Sequence, residues 1–583
     1  MRILARFRPC LAVTILTLVL AAGPVAVFAA ETLGDTLTVI QLPLLNIPAF
    51  VTPGGSFPIS CVATVGTTGW GAELVHGTRH VPLTITSAVY DATTLWWRLT
   101  AAVPTPALTE LYDLRVTAAG GVDDVTRHAV KVLPAYRSDY YFVHITDPHL
   151  PTHLYYYEAG AETDSSEVVD LREVIADVNV INPEFVLLTG DLVNEGELED
   201  FLLRRYYSHA QRVLGEFAAP VFLAAGNHDI GGWDASPPSD GTARRDWWRF
   251  FGWKRLANPP AGAPARTQDY SFNYGPAHYV GLEAYNNYDD YLPQYYGTDS
   301  FTSAQLQWLS ADLAAAAGTT SQVLFTHYDF LNQINLGTLG VEMTLMGHVH
   351  SNSGSLTTRP YDLTTNATCD GKRGYRVVRV SNGVVTPLAS VTAGSSGQNF
   401  QVTYTPANDG TYDSVSASVT NTFPIRFENA LLRFVMPHRP GAGFDVVGGT
   451  LVQIDETGPT DVCYVALDLL AASTRGVSVT LQVTGVGAEP PAAFRLAPNH
   501  PNPFNPRTAF DFELAQPSRA VLAIYDARGA RIATLLDADL SAGAHGAAWA
   551  GRDDRGAAMP SGVYFARLQT AAGTRTVKIT LAR

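Results

Sequence analysis

Phe185-Val-Leu-Leu-Thr-Gly-Asp191 and Val221-Phe-Leu-Ala-Ala-Gly-Asn-His-Asp229 decide how this chain is read. Each is a short apolar run that stops at a glycine and passes into polar residues of metal-ligand type. Three further runs have a similar form. Tyr141-Phe-Val-His-Ile145 leads to Asp147-Pro148-His149, Val323-Leu-Phe325 leads to His327, and Met343-Thr-Leu-Met346 leads to Gly347-His348-Val349-His350. Continuous apolar runs of this length suit central strands buried on both faces. Between them, 166–178 and 197–217 carry helical spacing. A third helix is expected from Thr302, with Thr302 and Gln305 as a capping box, to Gly318. Strands alternating with helices give an α/β layer domain over 137–390, with Asn382-Gly383 as a hairpin turn near its end.

The run ends carry the chemistry. In open α/β sheets ligands bind at the carboxyl ends of the strands, so the five ends are expected to share one crevice. Residues i and i+2 of an extended segment point to one side, which pairs Asp147 with His149 and His348 with His350. Gly190, Gly226 and Gly347 permit turns and close backbone approach. The pooled ligands are Asp147, His149, Asp191, Asn227, His327, His348 and His350, with His228 beside them. Mixed imidazole and carboxylate suit Zn, Mn or Fe and not calcium. Seven ligands exceed the needs of one four-coordinate zinc and suit two metal ions sharing a carboxylate. Such a pair, about 3.5–4 Å apart, clamps phosphoryl oxygens and generates hydroxide near neutral pH.

The ordered set Asp147-x-His149, Gly190-Asp191, Gly226-Asn227-His228-Asp229, His327 and Gly347-His348-x-His350 resembles the calcineurin-like metallophosphoesterase superfamily over roughly 139–390. The resemblance implies a four-layer α/β/β/α sandwich. It implies that Asp147, His149, Asp191 and His350 hold one metal, and Asp191, Asn227, His327 and His348 the other, with Asp191 bridging. His228 would touch the substrate phosphate and protonate the leaving oxygen, and Asp229 would support the site from behind. Where purple acid phosphatases place a tyrosine three residues after the bridging aspartate, this chain has Asn194. Where Ser/Thr protein phosphatases place Asp-Arg-Gly, it has Asn194-Glu195-Gly196. The chain is more similar to the cyclic-nucleotide and glycerophosphodiesterase branch, though His327-Tyr328-Asp329 replaces that branch's His-Pro-Pro.

Other histidines read as structural. His144, inside the first run, is expected in the core or behind the ligands, His153 in a solvated loop, and His278 packed in a strand. His76, His80, His128, His209, His438, His500 and His545 fall outside any motif. Aromatics crowd the loops: Tyr155–Tyr157, Trp233, Trp247, Trp248, Phe250, Phe251, Trp253, Tyr285, Tyr288, Tyr291, Tyr295 and Tyr296. They either form a stacking wall for a base or sugar or cover the loops' own small cores.

Outward from the α/β domain the chain reads as β structure. Residues 30–136 alternate in short runs, as in Phe57–Ala63 and Thr94–Thr100, and suggest an immunoglobulin-like β-sandwich. Residues 391–488 form a second β-rich domain, and 489–497 a linker. Over 498–583, Asn499-His-Pro-Asn-Pro-Phe-Asn-Pro506, Tyr525-Asp526-Ala-Arg-Gly529, Trp549 and Ser561-Gly-Val-Tyr564 resemble FlgD-like and type IX secretion sorting domains. That resemblance implies a small β-sandwich that engages secretion machinery and the cell surface, with Asp526 and His545 as structural turn residues. Arg2, Arg6 and Arg8, the apolar stretch from Cys10 and the small residues Val27 and Ala29 make 1–29 an export signal peptide.

The 583 residues allow about three or four domains. Hydrophobic residues make up 46% and charged residues 16%, which excludes a solvated polyelectrolyte. Lys plus Arg number 39 and Asp plus Glu 54. Without the three signal arginines the balance is 36 − 54 = −18. That excess, and few basic residues besides Arg172, Arg204 and Arg205 near the motifs, argues against a nucleic-acid duplex as partner. Export leaves Cys61, Cys369 and Cys463, which allow a Cys369–Cys463 bridge or three buried thiols. The function expected is a secreted two-metal hydrolase of phosphate esters, diesters favoured, working by metal-activated hydroxide. The alternatives are a phosphomonoesterase (nucleotidase or phosphatase) and an inactive surface-binding protein.

Overall fold

The computed structural model describes residues 36–582 apart from 106–107, 151–165, 195, 197–205, 231–241, 253, 256–265, 284–300, 302, 329–334, 395–399 and 483–493. The signal peptide expected at 1–29 lies outside the described residues. One compact unit runs to Arg439 and includes Phe444–Gln482. The other comprises Pro440–Gly443 and Val483 onward.

The α/β domain has ten principal strands: β1 (Asp139–Ile145), β2 (Phe185–Thr189), β3 (Val221–Ala224), β4 (Tyr270–Tyr274), β5 (Ala277–Leu282), β6 (Ser321–Thr326), β7 (Met343–Met346), β8 (Tyr361–Thr364), β9 (Gly374–Ser381) and β10 (Val384–Pro387). Its helices include α1 (Ser166–Ile181), α2 (Tyr206–Leu214), α3 (Asn227–Ile230), α4 (Thr242–Phe251) and α5 (Ser303–Ala315). One sheet has the order β3-β2-β1-β9-β10, with β1, β2 and β3 parallel and β9 antiparallel to β1. The other has the order β4-β5-β6-β7-β8, parallel from β5 to β8.

The faces follow from the period of two along each strand. Phe142, Phe185 and Phe222 of the first sheet share one core with Tyr279, Phe325, Leu345 and Leu363 of the second. The alternate residues Val280, Leu282 and Leu324 pack with Leu309 and Leu313 of α5. On the first sheet, Tyr375 of β9 donates its hydroxyl to Asp177 of α1 at 2.9 Å. Burial on both faces is why β2, β3, β5, β6 and β7 are buried throughout.

Several expected boundaries shift. The first helix runs on to Ile181, and α2 occupies the described end of the span expected at 197–217. The start of the third helix at Thr302 lies outside the described residues. Gln305 donates its amide to Asp269 at 3.0 Å and to the Glu283 carbonyl. Asn382 and Gly383, with φ of 49° and 82°, make the two-residue turn between β9 and β10. Val391–Thr392 pairs back onto Gly374–Tyr375, so this sheet continues past Ser390.

The region before β1 is one path of eight strands around a core that includes Phe57, Ile59, Leu99, Tyr112 and Val130. The region after β10 has a four-stranded and a three-stranded sheet. These two regions meet: Tyr464 donates its hydroxyl to the buried Glu110 at 2.5 Å, and His76 lies 2.7 Å from Asp455. The second unit has a three-stranded and a four-stranded sheet around Phe510, Leu522, Trp549 and Ile579. Phe494–Leu496, read as linker, is a strand paired with Phe512–Leu514, because Phe494 buries its ring in that core. Asp526 accepts from the Arg528 and Ala530 amides in a turn, and His545 bonds the Ser541 carbonyl. The Cys369–Cys463 bridge does not form. Cys61, Cys369 and Cys463 are buried free thiols, with Cys61 packed in the first β core and Cys369 turned toward His350.

Candidate metal centre

The residues that follow β1, β2, β3, β6 and β7 come together. The loops after β1 and β2 are zipped by Asp147 N–H to the Gly190 carbonyl at 3.1 Å and His149 N–H to the Asp191 carbonyl at 2.9 Å. The pairs Asp147/His149 and His348/His350 do converge, but not from extended backbone. Asp147, His149, Asp191, His348 and His350 have φ of 50°, 47°, 49°, 67° and 50°. Each left-handed non-glycine residue costs on the order of 1–3 kcal/mol and persists only where its surroundings hold it. The glycines have a steric reason. A Cβ on Gly226 would lie 2.2 Å from Asp191 Oδ1, and one on Gly347 would lie 1.9 Å from Thr146 Oγ1.

Asp191 is the common neighbour. Its Oδ2 is 3.1 Å from His327 Nε2 and 3.6 Å from His149 Nε2, and its Oδ1 accepts from the His228 amide at 2.9 Å. On one side, Asp191 groups with His327 and His348, their ligand atoms within 4.8 Å of one another, and Asn227 Oδ1 lies 3.1 Å from His327 Nε2. On the other, His149 and His350 bring their Nε2 atoms to 3.1 Å, with Asp147 Oδ1 3.3 Å from His350 Nε2. Asp147 also accepts from the His348 amide, at 3.1 Å to Oδ2. His228 packs edge-on to His149, ring centroids 4.6 Å apart.

A supporting layer fixes these groups. The Thr189 carbonyl lies 2.7 Å from His327 Nδ1 and accepts from the Thr146 hydroxyl at 2.8 Å. His144 is fully buried, bonded to the Thr189 and Thr365 hydroxyls at 2.8 Å each. Asp229 accepts from the Gly226 and Val193 amides, pinning the loops after β3 and β2 together. His228 Nδ1 lies 2.6 Å from the Asn194 carbonyl, an acceptor, so Nδ1 carries a proton.

The charges describe a cation site. Burial pulls His149 and His348 down to about 4. Burial also opposes charge on His327, yet the adjacent Asp191 carboxylate lifts it to about 9. Asp191 is itself held well below the usual carboxylate range: burial works against this, and His327 outweighs it. Burial, then the Asp191 charge, pushes Asp229 up to about 8. With Nδ1–H of His327 committed to Thr189, its Nε2 faces Asp191 Oδ2 and Asn227 Oδ1, both acceptors. Converging acceptors need a positive charge between them. A proton fills that need in part, and a divalent ion with imidazole and carboxylate preference fits the same donors.

Residues 140–352 match the family model of the calcineurin-like phosphoesterases. Residues 504–574 match the FlgD Ig-like domain model. No curated protein matches the chain. Among solved structures it is similar to dimeric latent PorU from Porphyromonas gingivalis, at 12% identity and a TM-score of 0.15 over 36% of this chain and 24% of that one. The chain thus spans about a quarter of PorU. A single mutant of Vps29 from Entamoeba histolytica gives 8% identity and 0.18 over 48% of this chain and 92% of that one. PorZ, a surface component of the type IX secretion system of P. gingivalis, gives 12% and 0.12 over 40% and 25%.

The aromatic residues of the α/β domain divide. Trp247, Trp248, Phe250 and Phe251 of α4 are buried, and the rings of Trp247, Phe250 and Phe251 pack against Tyr207, so these four cover a local core. His153, Tyr155–Tyr157, Trp233, Trp253, Tyr285, Tyr288, Tyr291, Tyr295 and Tyr296 lie outside the described residues, as do Arg204 and Arg205. Arg172 pairs with Glu216 at 2.8 Å. His278 is bonded by Asn273 and Asp312. Sequence reading missed Thr146, Thr189 and Thr365, which carry no metal-ligand signature, and Cys369, whose Sγ is 3.9 Å from His350 Nδ1. It also missed Tyr328, whose ring lies 4.3 Å from that of His348.

Proposed function

We propose that the chain is an exported two-metal phosphoesterase with a preference for phosphodiesters. The observation that carries this reading is the convergence of Asp147, His149, Asn227, His327, His348 and His350 around the shared carboxylate of Asp191. Asp147, His149, Asp191 and His350 would hold one ion, and Asp191, Asn227, His327 and His348 the other, with Mn, Fe or Zn as the metals. When bound, such ions supply Lewis acidity to the phosphoryl oxygens and make water a nucleophile near neutral pH. The chain's own groups do the rest. His228, with Nδ1–H held by Asn194, would act as the imidazolium and pass its Nε2 proton to the leaving oxygen as the ester P–O bond breaks, returning to the neutral ring. Asp229 keeps Gly226 and Val193 in register so that His228 stays in reach.

We read the two facing sheets with α1 and α5 outside them as the four-layer α/β/β/α arrangement, and the flanking β regions as immunoglobulin-like. Export by 1–29 and surface sorting by the FlgD-like domain complete the proposal. Asn194, standing where a tyrosine or an arginine-containing motif marks two monoesterase branches, supports the diester preference. The test is turnover on matched aryl phosphate monoester and diester substrates after chelation and addition of Mn, Zn or Fe. Metal-dependent diester hydrolysis at the higher kcat/KM is expected. A monoester preference would overturn the diesterase reading.

A further inference from the structure

His350 is part-exposed, its side chain 29% accessible, on a left-handed residue after β7. What holds it is not among the five strand-end motifs. The turn between β8 and β9 closes over it: Cys369 Sγ lies 3.9 Å and Asp370 Oδ2 3.8 Å from His350 Nδ1, and Lys372 Nζ donates to the His350 carbonyl at 3.1 Å. The same turn grips the neighbouring ligand, with Thr368 N–H on the Thr146 carbonyl at 2.9 Å and Cys369 N–H on the Asp147 carbonyl at 3.1 Å. The turn carries left-handed backbone at Asp370, Gly371 and Arg373, so something must hold it in place. That role falls to Asp170 of α1, a carboxylate only 3% exposed. Its Oδ2 accepts from the Gly371 amide and its Oδ1 from Arg373 Nε, both at 2.7 Å.

We propose that Asp170 is a positioning residue for the metal centre that acts mainly on one half of it: through the 368–373 turn it fixes Asp147 and His350. The asymmetry follows from the contacts, because the turn binds Thr146, Asp147 and His350 directly, whereas it reaches His348 and His327 only one step further on, through Asp147 to the His348 amide and through Thr146 to the Thr189 carbonyl. A charged acceptor paired to an amide and a guanidinium makes a stronger anchor than a neutral one. Groups behind a ligand typically change metal affinity by about 10–100-fold when removed.

The inference rests on the two-metal reading, and Mn2+ titration of the chelated full-length protein separates the two. Wild type should take up two ions. Asp170→Ala should bind one ion about 10–100-fold more weakly and the other with a clearly smaller loss. Asp170→Asn, which keeps an oxygen for Gly371, should recover part of the loss. If Asp170→Ala does not fold, Lys372→Met removes the turn's own donor to the His350 carbonyl and should weaken the same ion several-fold. Two ions bound with wild-type affinity in the variants would overturn the inference. So would equal weakening of both ions, the signature of a merely structural role. No Mn2+ uptake by wild type would sink the two-metal reading and this inference with it.

Discussion

At the scale of residues, the site depends on backbone that most side chains disfavour. Five of the proposed ligands sit at positive φ, and Gly226 and Gly347 leave the space into which Asp191 and Thr146 project. Gly226→Ala and Gly347→Ala should therefore lower metal affinity by at least about tenfold, since displaced ligands lose their geometry. Isothermal titration with the circular dichroism spectrum as control checks this. His228 has a different part: His228→Ala should cut turnover by about 10²–10⁴ while two metal ions still bind, read by steady-state kinetics beside metal analysis. The ligand types and their order could be read in the sequence, because imidazoles and carboxylates at strand ends have little other reason to recur. The left-handed backbone could not, because Asp-Pro-His and His-Val-His are equally compatible with an extended pair. Cys369 was hidden for another reason: a thiol with no second ligand-type motif beside it looks like a small apolar core residue.

At the scale of elements, strands buried on both faces were the legible ones. β2, β3 and β7 are apolar runs with no competing helical period, whereas β4 is only partly buried and its Tyr270-Ser-Phe-Asn-Tyr274 carries no continuous run. β8, Tyr361-Asp-Leu-Thr364, is too short and mixed to stand out. Helix α1 joins the first sheet through a titratable contact. Burial pushes Asp177 up to about 7, against the pull of the Tyr375 hydroxyl. An acid whose folded value is raised favours its protonated form in the fold. The contribution of Asp177 to stability is therefore full below the unfolded value of 3.8 and is lost as pH rises toward about 7. The loss would be on the order of 4 kcal/mol in full. Asp177→Asn should flatten that slope, so the midpoint difference between pH 5 and pH 8 should shrink in the variant. An unchanged difference would exclude Asp177 as its source.

At the scale of the whole molecule, composition and patterning separated β regions from the α/β domain, and the strands follow those regions with shifts where buried apolar residues extend a sheet. Phe494 joins the last core in this way, and Val391 pairs onto β9. What composition could not show is the polar contact between the first and middle β regions. Glu110, 5% exposed, depends on Tyr464 and Lys131 for its partners. Tyr464→Phe should cost about 1–3 kcal/mol by leaving a buried carboxylate oxygen short of a donor, seen as a lower unfolding midpoint with turnover retained. All the ligand residues lie within the first compact unit. Whether Asp191 and the six side chains around it make one two-metal phosphoesterase centre is decided by counting metal ions per chain in wild type and Asp191→Asn after chelation and reloading, with diester turnover measured on the same samples. Two ions and turnover in wild type, with both lost in the variant, is the result expected. Equal metal content and equal turnover in the two proteins would contradict it.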